Sequence, residues 1–431
     1  MLDGNKFLIR GGRVLTADGM RERDVLTDGG KIAAIGGNLE HSEAKIIDAS
    51  GAIVAPGLVD LHCHLREPGY EEKEDIASGT AAAAKGGFTS ICCMANTDPV
   101  NDNAVVTEFI KKKAALAGPV RVYPIAAITK GLAGDELTEA GELAEAGAVA
   151  LSDDGRCVRN AQKMRLALCY AKRFGIKVIS HPEDLDLVNG GLMNEGYWST
   201  AIGLPGITRA AEETMIARDC MLAGIENTGV HIAHVSTAGG AEIIRDAKRR
   251  GIAVTCETTP HYLYATDEWV RDYDTNTKVN PPLRTEADRL ALIDALLDGT
   301  IDCIATDHAP HHADDKDVEY AIAANGISGF ETAFSICWTV LVKGGHMTPE
   351  EMIRKLTSDP AKILGLRAGA LEEGGPADIT IIDPDAEWTV DPKKFASRGR
   401  NTPFAGCTLS GAVKCTISDG KIAHGGEWAC R

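Results

Sequence analysis

Short apolar runs recur along the middle of the chain and are separated by stretches with helical periodicity. Eight strand-like runs lie at residues 57–64, 88–94, 121–128, 147–152, 176–181, 230–235, 252–256 and 301–306. Helix-compatible stretches, such as residues 160–175 and 238–251, lie between them. The alternation predicts a parallel sheet, and eight units favour an α/β fold closed into a (β/α)8 TIM barrel. An open α/β sheet is the second interpretation, although no Gly-x-Gly-x-x-Gly motif follows the first strand.

The two ends of the chain have a different pattern, with brief β-prone runs broken by glycines and by turns that contain aspartate. "FLIRGGRVLT" and "GGKIAAIGG" near the N-terminus are similar in style to "PADITIID" and "GAVKCTISDGKIAHGG" after residue 370. We therefore predict one small composite β-sandwich domain built from residues 1–56 and 366–431. The barrel would then comprise residues 57–365.

Composition and charge narrow the class of protein. The chain has 431 residues, 44% hydrophobic and 25% charged, which is typical of a globular protein. A net charge of −17 argues against a nucleic-acid or anionic-membrane partner. The 12 cysteines include no Cys-x-x-Cys pair of the kind that binds zinc. The N-terminus lacks the basic segment followed by an apolar segment that is typical of a signal peptide. We expect a soluble cytoplasmic protein with reduced thiols and no membrane span.

Polar residues of the types that bind metals end five of the eight predicted strands. These residues are His62 and His64, Asp153 and Asp154, His181, His234, and Asp307. The carboxyl ends of barrel strands gather at one face, where function collects. His62 and His64 are two positions apart and should point the same way. Counting one of the two adjacent aspartates, six polar groups should converge.

This set of side chains predicts a metal centre. Four histidines and two carboxylates exceed what one tetrahedral zinc needs. They suffice for two ions about 3.5–4 Å apart that share a carboxylate and a hydroxide, a nucleophile near neutral pH. A lone strand histidine is more often structural, and by strand alternation His231 points away from His234 and belongs to that class. Coincidence at five separate strand ends is much harder to accept.

Nine segments, in order along the chain, match the motifs of a known family. They are "DLHCHLREPG" (60–69), "MANTDP" (94–99), "SDDG" (152–155), "SHPED" (180–184), "AHVST" (233–237), "ETTPHYL" (257–263), "KVNPPLR" (278–284), "ATDHAPH" (305–311) and "SRGRNTPF" (397–404). In these segments the chain resembles dihydroorotases of the bacterial class I type, in the amidohydrolase superfamily. The resemblance implies a TIM barrel, a small composite β domain and metal-dependent, reversible cyclisation of N-carbamoyl-L-aspartate to L-dihydroorotate in pyrimidine biosynthesis.

The resemblance also implies the metal ligands. One zinc would be bound by His62, His64 and Asp307, the second by His181 and His234, with Asp154 bridging the two and Asp307 acting as acid/base. Many amidohydrolases bridge their metals with a carboxylated lysine on the fourth strand, but "ALSDDG" contains none. The residues leave open whether Asp153 or Asp154 bridges, and the family pattern favours Asp154.

Arg66 offers a permanently charged, two-pronged partner for a substrate carboxylate. The alternative is a surface ion pair with Glu67 or Glu71. The resemblance assigns further substrate contacts to His64, Asn96, Asn280, His311, Asn325 and Gly326. Two positions depart from the family pattern. Asn325 replaces a residue that is usually apolar, and Ala95 replaces the usual proline before Asn96.

Two other functions remain open. A hydantoinase, dihydropyrimidinase or allantoinase would share the scaffold, but the bridging lysine is absent, and Arg66 and Asn96 suit a ring that carries a carboxylate. A dihydroorotase-like subunit without metals could instead support aspartate transcarbamoylase, although every ligand position is retained. We expect a homodimer, and association with aspartate transcarbamoylase stays open because the sequence does not reveal the oligomeric state.

Overall fold

Eighteen β-strands form two large sheets and one small sheet in the computed structural model, which describes residues 6–426. Residues 1–5 and 427–431, at the outer ends of the predicted β domain, lie outside this description. In chain order the strands are β1 (Phe7–Thr16), β2 (Gly19–Asp28), β3 (Lys31–Gly36), β4 (Lys45–Asp48), β5 (Ile53–Pro56), β6 (Leu58–Cys63), β7 (Phe88–Cys93), β8 (Arg121–Ala126), β9 (Ala150–Leu151), β10 (Lys177–Ser180), β11 (Met193–Asn194), β12 (Gly206–Ile207), β13 (Val230–Ile232), β14 (Val254–Thr258), β15 (Cys303–Ile304), β16 (Ile379–Thr389), β17 (Thr408–Ser418) and β18 (Lys421–His424).

Fourteen α-helices lie between these strands. They are α1 (Ile76–Lys85), α2 (Ala104–Ala117), α3 (Ala140–Ala146), α4 (Ala161–Arg173), α5 (Leu185–Val188), α6 (Tyr197–Ile202), α7 (Ala210–Ile225), α8 (Ala238–Arg249), α9 (Pro260–Tyr264), α10 (Glu286–Leu297), α11 (Ala313–Lys316), α12 (Phe330–Cys337), α13 (Pro349–Lys355) and α14 (Ser358–Leu364). Asp75, Asn103 and Asn160 begin α1, α2 and α4 by accepting hydrogen bonds from backbone N–H groups of the first turn. Among the residues described, no helix is long and apolar enough to cross a membrane.

Eight parallel strands form the barrel, in the order β6-β7-β8-β9-β10-β13-β14-β15. Each of the eight predicted runs overlaps one of these strands, so the predicted (β/α)8 fold is confirmed. The barrel closes between its last and first strands, just after β15 and β6, where the backbone N–H of His64 donates to the carbonyl oxygen of His308 at 2.8 Å. Every residue of β6 and β7 is buried, as expected for strands with apolar layers on both faces.

The second large sheet contains strands from both ends of the chain. Its order is β18-β17-β16-β5-β1-β2-β3, with β4 added to β1. The pairing of Val54 on β5 with Ile381 on β16 joins the two ends. Apolar side chains from β1, β2, β3, β16 and β17 belong to one core cluster, so the sheet folds around its own interior. The additional β unit is therefore present, and domain boundaries at residues 56 and 366 stay a prediction.

The second sheet packs against the barrel through α1 and the loop that leads into β7. Thr380 Oγ1 donates to the Gly87 carbonyl at 2.6 Å, and Thr416 Oγ1 donates to the Ala84 carbonyl at 2.7 Å. An ion pair between Arg121 and Asp378 adds a contact at the start of β8. Most of these contacts lie at the amino ends of barrel strands, which leaves the carboxyl ends free for a site.

Candidate metal centre

His62 and His64 leave the end of β6 on the same side and meet carboxylates from two other strands. His62 is fully buried, and its Nε2 lies 3.3 Å from Asp154 Oδ1 and 3.5 Å from Asp307 Oδ1. His64 Nε2 lies 3.1 Å from the same Asp307 oxygen. The alternation of side chains along β6 therefore places both imidazoles at the barrel mouth.

Asp154 lies at the centre of the four histidines. Its Oδ1 is 3.3 Å from His181 Nδ1 and 3.5 Å from His234 Nε2, and its Oδ2 is 3.5 Å from His64 Nε2. All six predicted ligands are thus brought together, from five different strands. This position between both pairs of histidines suits a shared ligand.

The neighbouring Asp153 turns away from the cavity. Its carboxylate accepts hydrogen bonds from the backbone N–H groups of Ile128 and Thr129, at 2.8 and 3.0 Å, and from Thr129 Oγ1 at 2.5 Å. These bonds tie the end of β9 to the loop after β8. Of the two aspartates, only Asp154 reaches the histidines.

Two buried polar atoms at this point have no hydrogen-bond partner among the residues described: His62 Nε2 and Asp154 Oδ1. Burying an unsatisfied polar atom is costly, so such an atom calls for an explanation. Ligand atoms about 2.1 Å from a tetrahedral ion lie about 3.4 Å apart, which matches the distances around Asp154. His62, His64 and Asp307, and likewise His62, Asp154 and His234, form compact groups of ligand atoms. The residues present therefore fit a divalent metal.

The charges of the cluster suit a bound cation. Burial alone would lower the pKa of His62, but the carboxylates of Asp154 and Asp307 raise it well above its usual value. Burial likewise opposes ionisation of Asp154, yet the surrounding histidines hold its pKa well below its usual range. The pKa of Asp307 is lowered in the same way by His62 and His64. Two ionised carboxylates in a buried site require positive charge.

Three of the residues around the centre have backbone in the left-handed region, although none is a glycine. The φ angles are +63° for Arg66, +34° for His234 and +45° for Asp307. This conformation is strained for residues with a Cβ atom, and such strain tends to collect at functional sites. The surrounding fold holds these three side chains in positions that the backbone alone would not favour.

A cavity of about 180 Å³ opens above the metal-type residues. It is lined by His64, Arg66, Asn96, Asp154, Gly155, His181, His234, Val279, Asn280, Asp307, Ala309, Asn325 and Gly326. The predicted substrate contacts Arg66, Asn96, Asn280, Asn325 and Gly326 are all in this lining. Burial, together with the Arg66 guanidinium, lowers the pKa of the adjoining His311 to about 3, so its imidazole is neutral.

Arg66 points into the cavity and forms no ion pair in the described part of the chain. Its Nε donates to the Pro310 carbonyl at 3.2 Å, and a terminal nitrogen lies 3.3 Å from His311 Nε2. Glu67 instead pairs with Lys113 at 2.7 Å, and Glu71 accepts from the Gly69 N–H. The geometry does not support the alternative surface ion pair for Arg66, whose charge remains available to a ligand.

Asn96 and Asn280 are held by groups of the metal centre. Asn96 Oδ1 lies 2.9 Å from His64 Nδ1, and Asn280 Nδ2 donates to Glu183 Oε2 at 2.6 Å. The carbonyl oxygen of Asn325 lies 2.7 Å from His311 Nε2. Asn325 therefore contributes its backbone to the mouth of the cavity, which lessens the importance of its unusual side chain.

Two family models match the chain. A "Dihydro-orotase-like" model matches residues 51–239, and an "Amidohydrolase family" model matches residues 207–424. A dihydroorotase of Acetivibrio thermocellus is 54% identical over 420 residues, which covers 96% of this chain and 98% of that protein. The chain belongs to the dihydroorotase family. A second dihydroorotase, from Geobacter metallireducens, is also 54% identical and covers 97% of this chain and 99% of its own length.

Solved structures place this dihydroorotase within a wider fold group. An L-hydantoinase (dihydropyrimidinase) from Arthrobacter aurescens superimposes with a TM-score of 0.86 at 26% identity, covering 96% of this chain and 95% of that one. A dihydropyrimidinase from Brevibacillus agri gives a TM-score of 0.84 at 25% identity, covering 97% and 94%. Among the described residues that line the dihydroorotase cavity, none is a lysine. The predicted aspartate bridge is compatible with this lining.

The sequence analysis missed two glutamates that contact histidines of the predicted metal centre. Glu257 Oε1 lies 2.9 Å from His62 Nδ1, and Glu183 Oε2 lies 3.5 Å from His181 Nε2. Such partners fix the orientation of a ligating imidazole. Glu257 is in β14, the seventh barrel strand, so the rule applied to the other strand ends could have found it. His231 Nε2 lies 3.1 Å from the other oxygen of Glu257.

Proposed function

We propose that this dihydroorotase closes N-carbamoyl-L-aspartate to L-dihydroorotate and reopens it at the cavity between Arg66 and the six metal-type residues. The observation that carries the proposal is the unpaired guanidinium of Arg66 in the same cavity as Asp307 and the histidines. A ligand with a carboxylate at one end and a cyclic amide at the other would satisfy both. Arg66 would bind the carboxylate, and the metal centre would receive the amide.

Two zinc ions are the proposed cofactor. His62, His64 and Asp307 would hold one, His181 and His234 the other, with Asp154 between them, as supported by the unpartnered atoms at this position. When bound, the ions would activate a water and polarise the amide carbonyl. Glu257 and Glu183 would keep His62 and His181 in the orientation that binding needs.

Asp307 is the proposed acid/base. Its carboxylate lies in the cavity lining beside His62 and His64, where a proton can be exchanged with a bound substrate. In ring opening Asp307 begins ionised, takes a proton from the attacking water and delivers it to the departing ring nitrogen. In ring closure, by microscopic reversibility, it takes the proton of the attacking ureido nitrogen and delivers it to the departing oxygen.

The polar groups around Arg66 would orient the rest of the substrate. Asn96 and Asn280 each keep part of their side-chain amide free after bonding to His64 and Glu183. The neutral His311 lies beside Arg66 and adds no competing charge. The backbone of Asn325 and Gly326 forms the part of the cavity wall beside His311 and would contact the ring.

A neutral cyclic amide is the second candidate substrate, since the fold is similar to that of a hydantoinase. The decisive measurement compares ring opening of L-dihydroorotate, dihydrouracil, hydantoin and allantoin. We expect strong turnover of L-dihydroorotate alone, about two zinc ions per chain by elemental analysis, and loss of activity on chelation. Equal turnover of dihydrouracil would contradict the proposed substrate, and an active protein without transition metal would contradict the proposed cofactor.

Assembly and location are separate proposals that rest on the resemblance to bacterial class I dihydroorotases. We expect a homodimer in the cytoplasm, able to associate with aspartate transcarbamoylase. Sedimentation of the purified protein, alone and mixed with aspartate transcarbamoylase, tests the two statements on assembly, and cell fractionation tests the location. A monomer that sediments independently of the second enzyme would contradict the proposed assembly without affecting the catalytic proposal.

A further inference from the structure

Asn401 belongs to the C-terminal part of the chain, yet its side chain is built into the mouth of the barrel. It lies between the 3-10 helix Pro392–Lys394 and β17, in a segment that leads back to the second sheet. Its exposed fraction is only 4%. A buried carboxamide at the rim of a catalytic cavity must have its hydrogen bonds accounted for.

All the hydrogen-bonding positions of this carboxamide are used. Asn401 Oδ1 accepts from the His311 N–H at 2.9 Å and from Ser328 Oγ at 2.8 Å. Asn401 Nδ2 donates to the carbonyl oxygens of Ala309 at 3.0 Å and Gly326 at 2.9 Å. A carboxamide has two donors and two acceptor positions, and here each has one partner. Aspartate would lose both donors at this position.

These four partners belong to two loops beside Arg66, the proposed carboxylate-binding residue. Ala309 and His311 follow β15, whereas Gly326 and Ser328 precede α12. Between the first two lies Pro310, whose carbonyl oxygen accepts from Arg66 Nε at 3.2 Å. Asn401 therefore binds both neighbours of Pro310, the residue whose carbonyl oxygen orients Arg66.

The same segment also touches Pro310 directly. A Cβ atom on Gly399 would lie 2.4 Å from Pro310 Cβ, and a Cβ atom on Gly326 would lie 2.6 Å from the Ala309 carbonyl oxygen. The three backbones are therefore as close as glycine allows. Because these backbones are packed so closely, the length of the Asn401 side chain sets the distance between the loop after β15 and the loop before α12.

We infer that Asn401 is a positioning residue for recognition of the ring carboxylate, acting through Pro310 and His311 on Arg66. The inference rests on the proposed function, because it assumes that Arg66 binds a substrate carboxylate. Asn401 itself does not line the cavity. Its loss should therefore change how well one kind of substrate binds, while the metal centre and the chemical step stay intact.

The test is the substrate preference of Asn401→Ala. We expect the KM for L-dihydroorotate to rise about tenfold, the size of effect that loss of well-formed buried hydrogen bonds gives. The KM for dihydrouracil, kcat for L-dihydroorotate and the zinc content should stay close to those of the wild type. Asn401→Asp should lower the preference at least as much, because it sets acceptors against the Ala309 and Gly326 carbonyls.

Asn194 provides a matched control. Its buried carboxamide bonds to Asp267 and Arg284 and does not contact these loops. Asn194→Ala should lower thermal stability and leave the preference between the two substrates unchanged. Ser328→Ala removes a single bond to Asn401 and should give a smaller rise in the same KM, which keeps the test available if Asn401→Ala does not fold.

The outcomes separate the inference from the proposed function. If the wild type prefers L-dihydroorotate but the Asn401 and Ser328 variants lose activity equally on both substrates, Asn401 is only structural and the inference is wrong. If the wild type itself opens dihydrouracil as well as L-dihydroorotate, the proposed function fails first. A selective rise in the KM for L-dihydroorotate supports both.

Discussion

Two groups of buried polar residues contact the loops at the carboxyl ends of the barrel strands and behave in opposite ways. The cavity group, His62, Asp154 and His234, leaves polar atoms without hydrogen-bond partners among the residues described. The frame group, Asp153, Glu74 and Glu212, has its carboxylates saturated. Glu212, for example, accepts from the N–H groups of Ser236 and Thr237 and from Thr237 Oγ1.

The contrast separates function from architecture at the strand ends. A saturated carboxylate stabilises the loop that donates to it and has nothing left for a ligand. An unsatisfied one costs stability, so its retention calls for another explanation, here a metal ion. Variants in the cavity group should therefore cost activity, and variants in the frame group should cost stability.

The largest effect is expected for Asp307→Asn. The variant keeps the size of the side chain but cannot accept a proton, so turnover in both directions should fall about 10²- to 10⁴-fold. Zinc content has to be measured first, because Asp307 is also a proposed ligand. Asp314→Asn, at an exposed carboxylate of the same segment, should retain wild-type turnover. Near-normal turnover by zinc-loaded Asp307→Asn would refute the acid/base role.

Arg66→Ala should remove much of the preference for L-dihydroorotate over dihydrouracil. Loss of a charge-assisted hydrogen-bonding partner predicts a decrease of about ten- to a hundredfold in the ratio of kcat/KM values. Arg398, whose guanidinium pairs with Asp75, is the matched arginine control. Arg398→Ala should keep the ratio, and an equal decrease in both variants would mean that charge near the mouth, rather than Arg66 itself, sets the preference.

The adjacent aspartates give the sharpest comparison. Asp154→Ala should remove the ligand that the two proposed metal ions share, so the metal content should fall sharply. Asp153→Ala should retain metal but lower the free energy of unfolding by about 1–3 kcal/mol, since three donors lose their acceptor. Metal analysis and denaturant unfolding of the metal-free proteins measure the two effects. If both variants lost the same amount of metal and of unfolding free energy, the distinction between the cavity and frame groups would be wrong.

The smallest effect is expected for Lys316, a buried cation with saturated bonding. Its Nζ donates to the carbonyls of Thr275, Lys278 and Ala324, and burial lowers its pKa to about 7. Between this pKa and that of the unfolded chain, near 10.4, the unfolded state binds more protons, so this lysine makes stability rise with pH.

Lys316→Met should remove that rise, which is at most about 1.4 kcal/mol per pH unit above pH 7. The measurement is the difference in unfolding free energy between wild type and variant at several pH values from 7 to 9. Parallel curves for the two proteins would show that Lys316 stays protonated in the folded state, with its three carbonyl partners outweighing burial.

The sequence predicted the barrel because strand and helix periodicities are local. Even β9, which has two residues, falls within its predicted run. It also predicted which strand ends supply the metal-type residues, since β6 alternates and sends His62 and His64 to one side. It could not choose between Asp153 and Asp154, because that choice depends on the hydrogen bonds of Asp153 with Ile128 and Thr129, a contact between different strands.

The contacts of the positioning residues were beyond reach for the same reason, although Glu257 itself could have been noticed from its place near a strand end. Glu257 contacts His62 across the barrel, almost 200 residues away in sequence. Asn401 meets its partners only because the C-terminal segment returns over the mouth. Periodicity contains no information on such contacts.

The pairing of β5 with β16 has a consequence for how the chain is made. As a ribosome synthesises it from the N-terminus, the edge of β5 that will bind Ile379–Ile382 stays without its neighbour while more than 300 residues are added. At about 5–20 residues per second that interval is on the order of 15–60 seconds. An open β edge can pair with another chain during that time, so the nascent protein should depend on chaperones most before its last strands emerge.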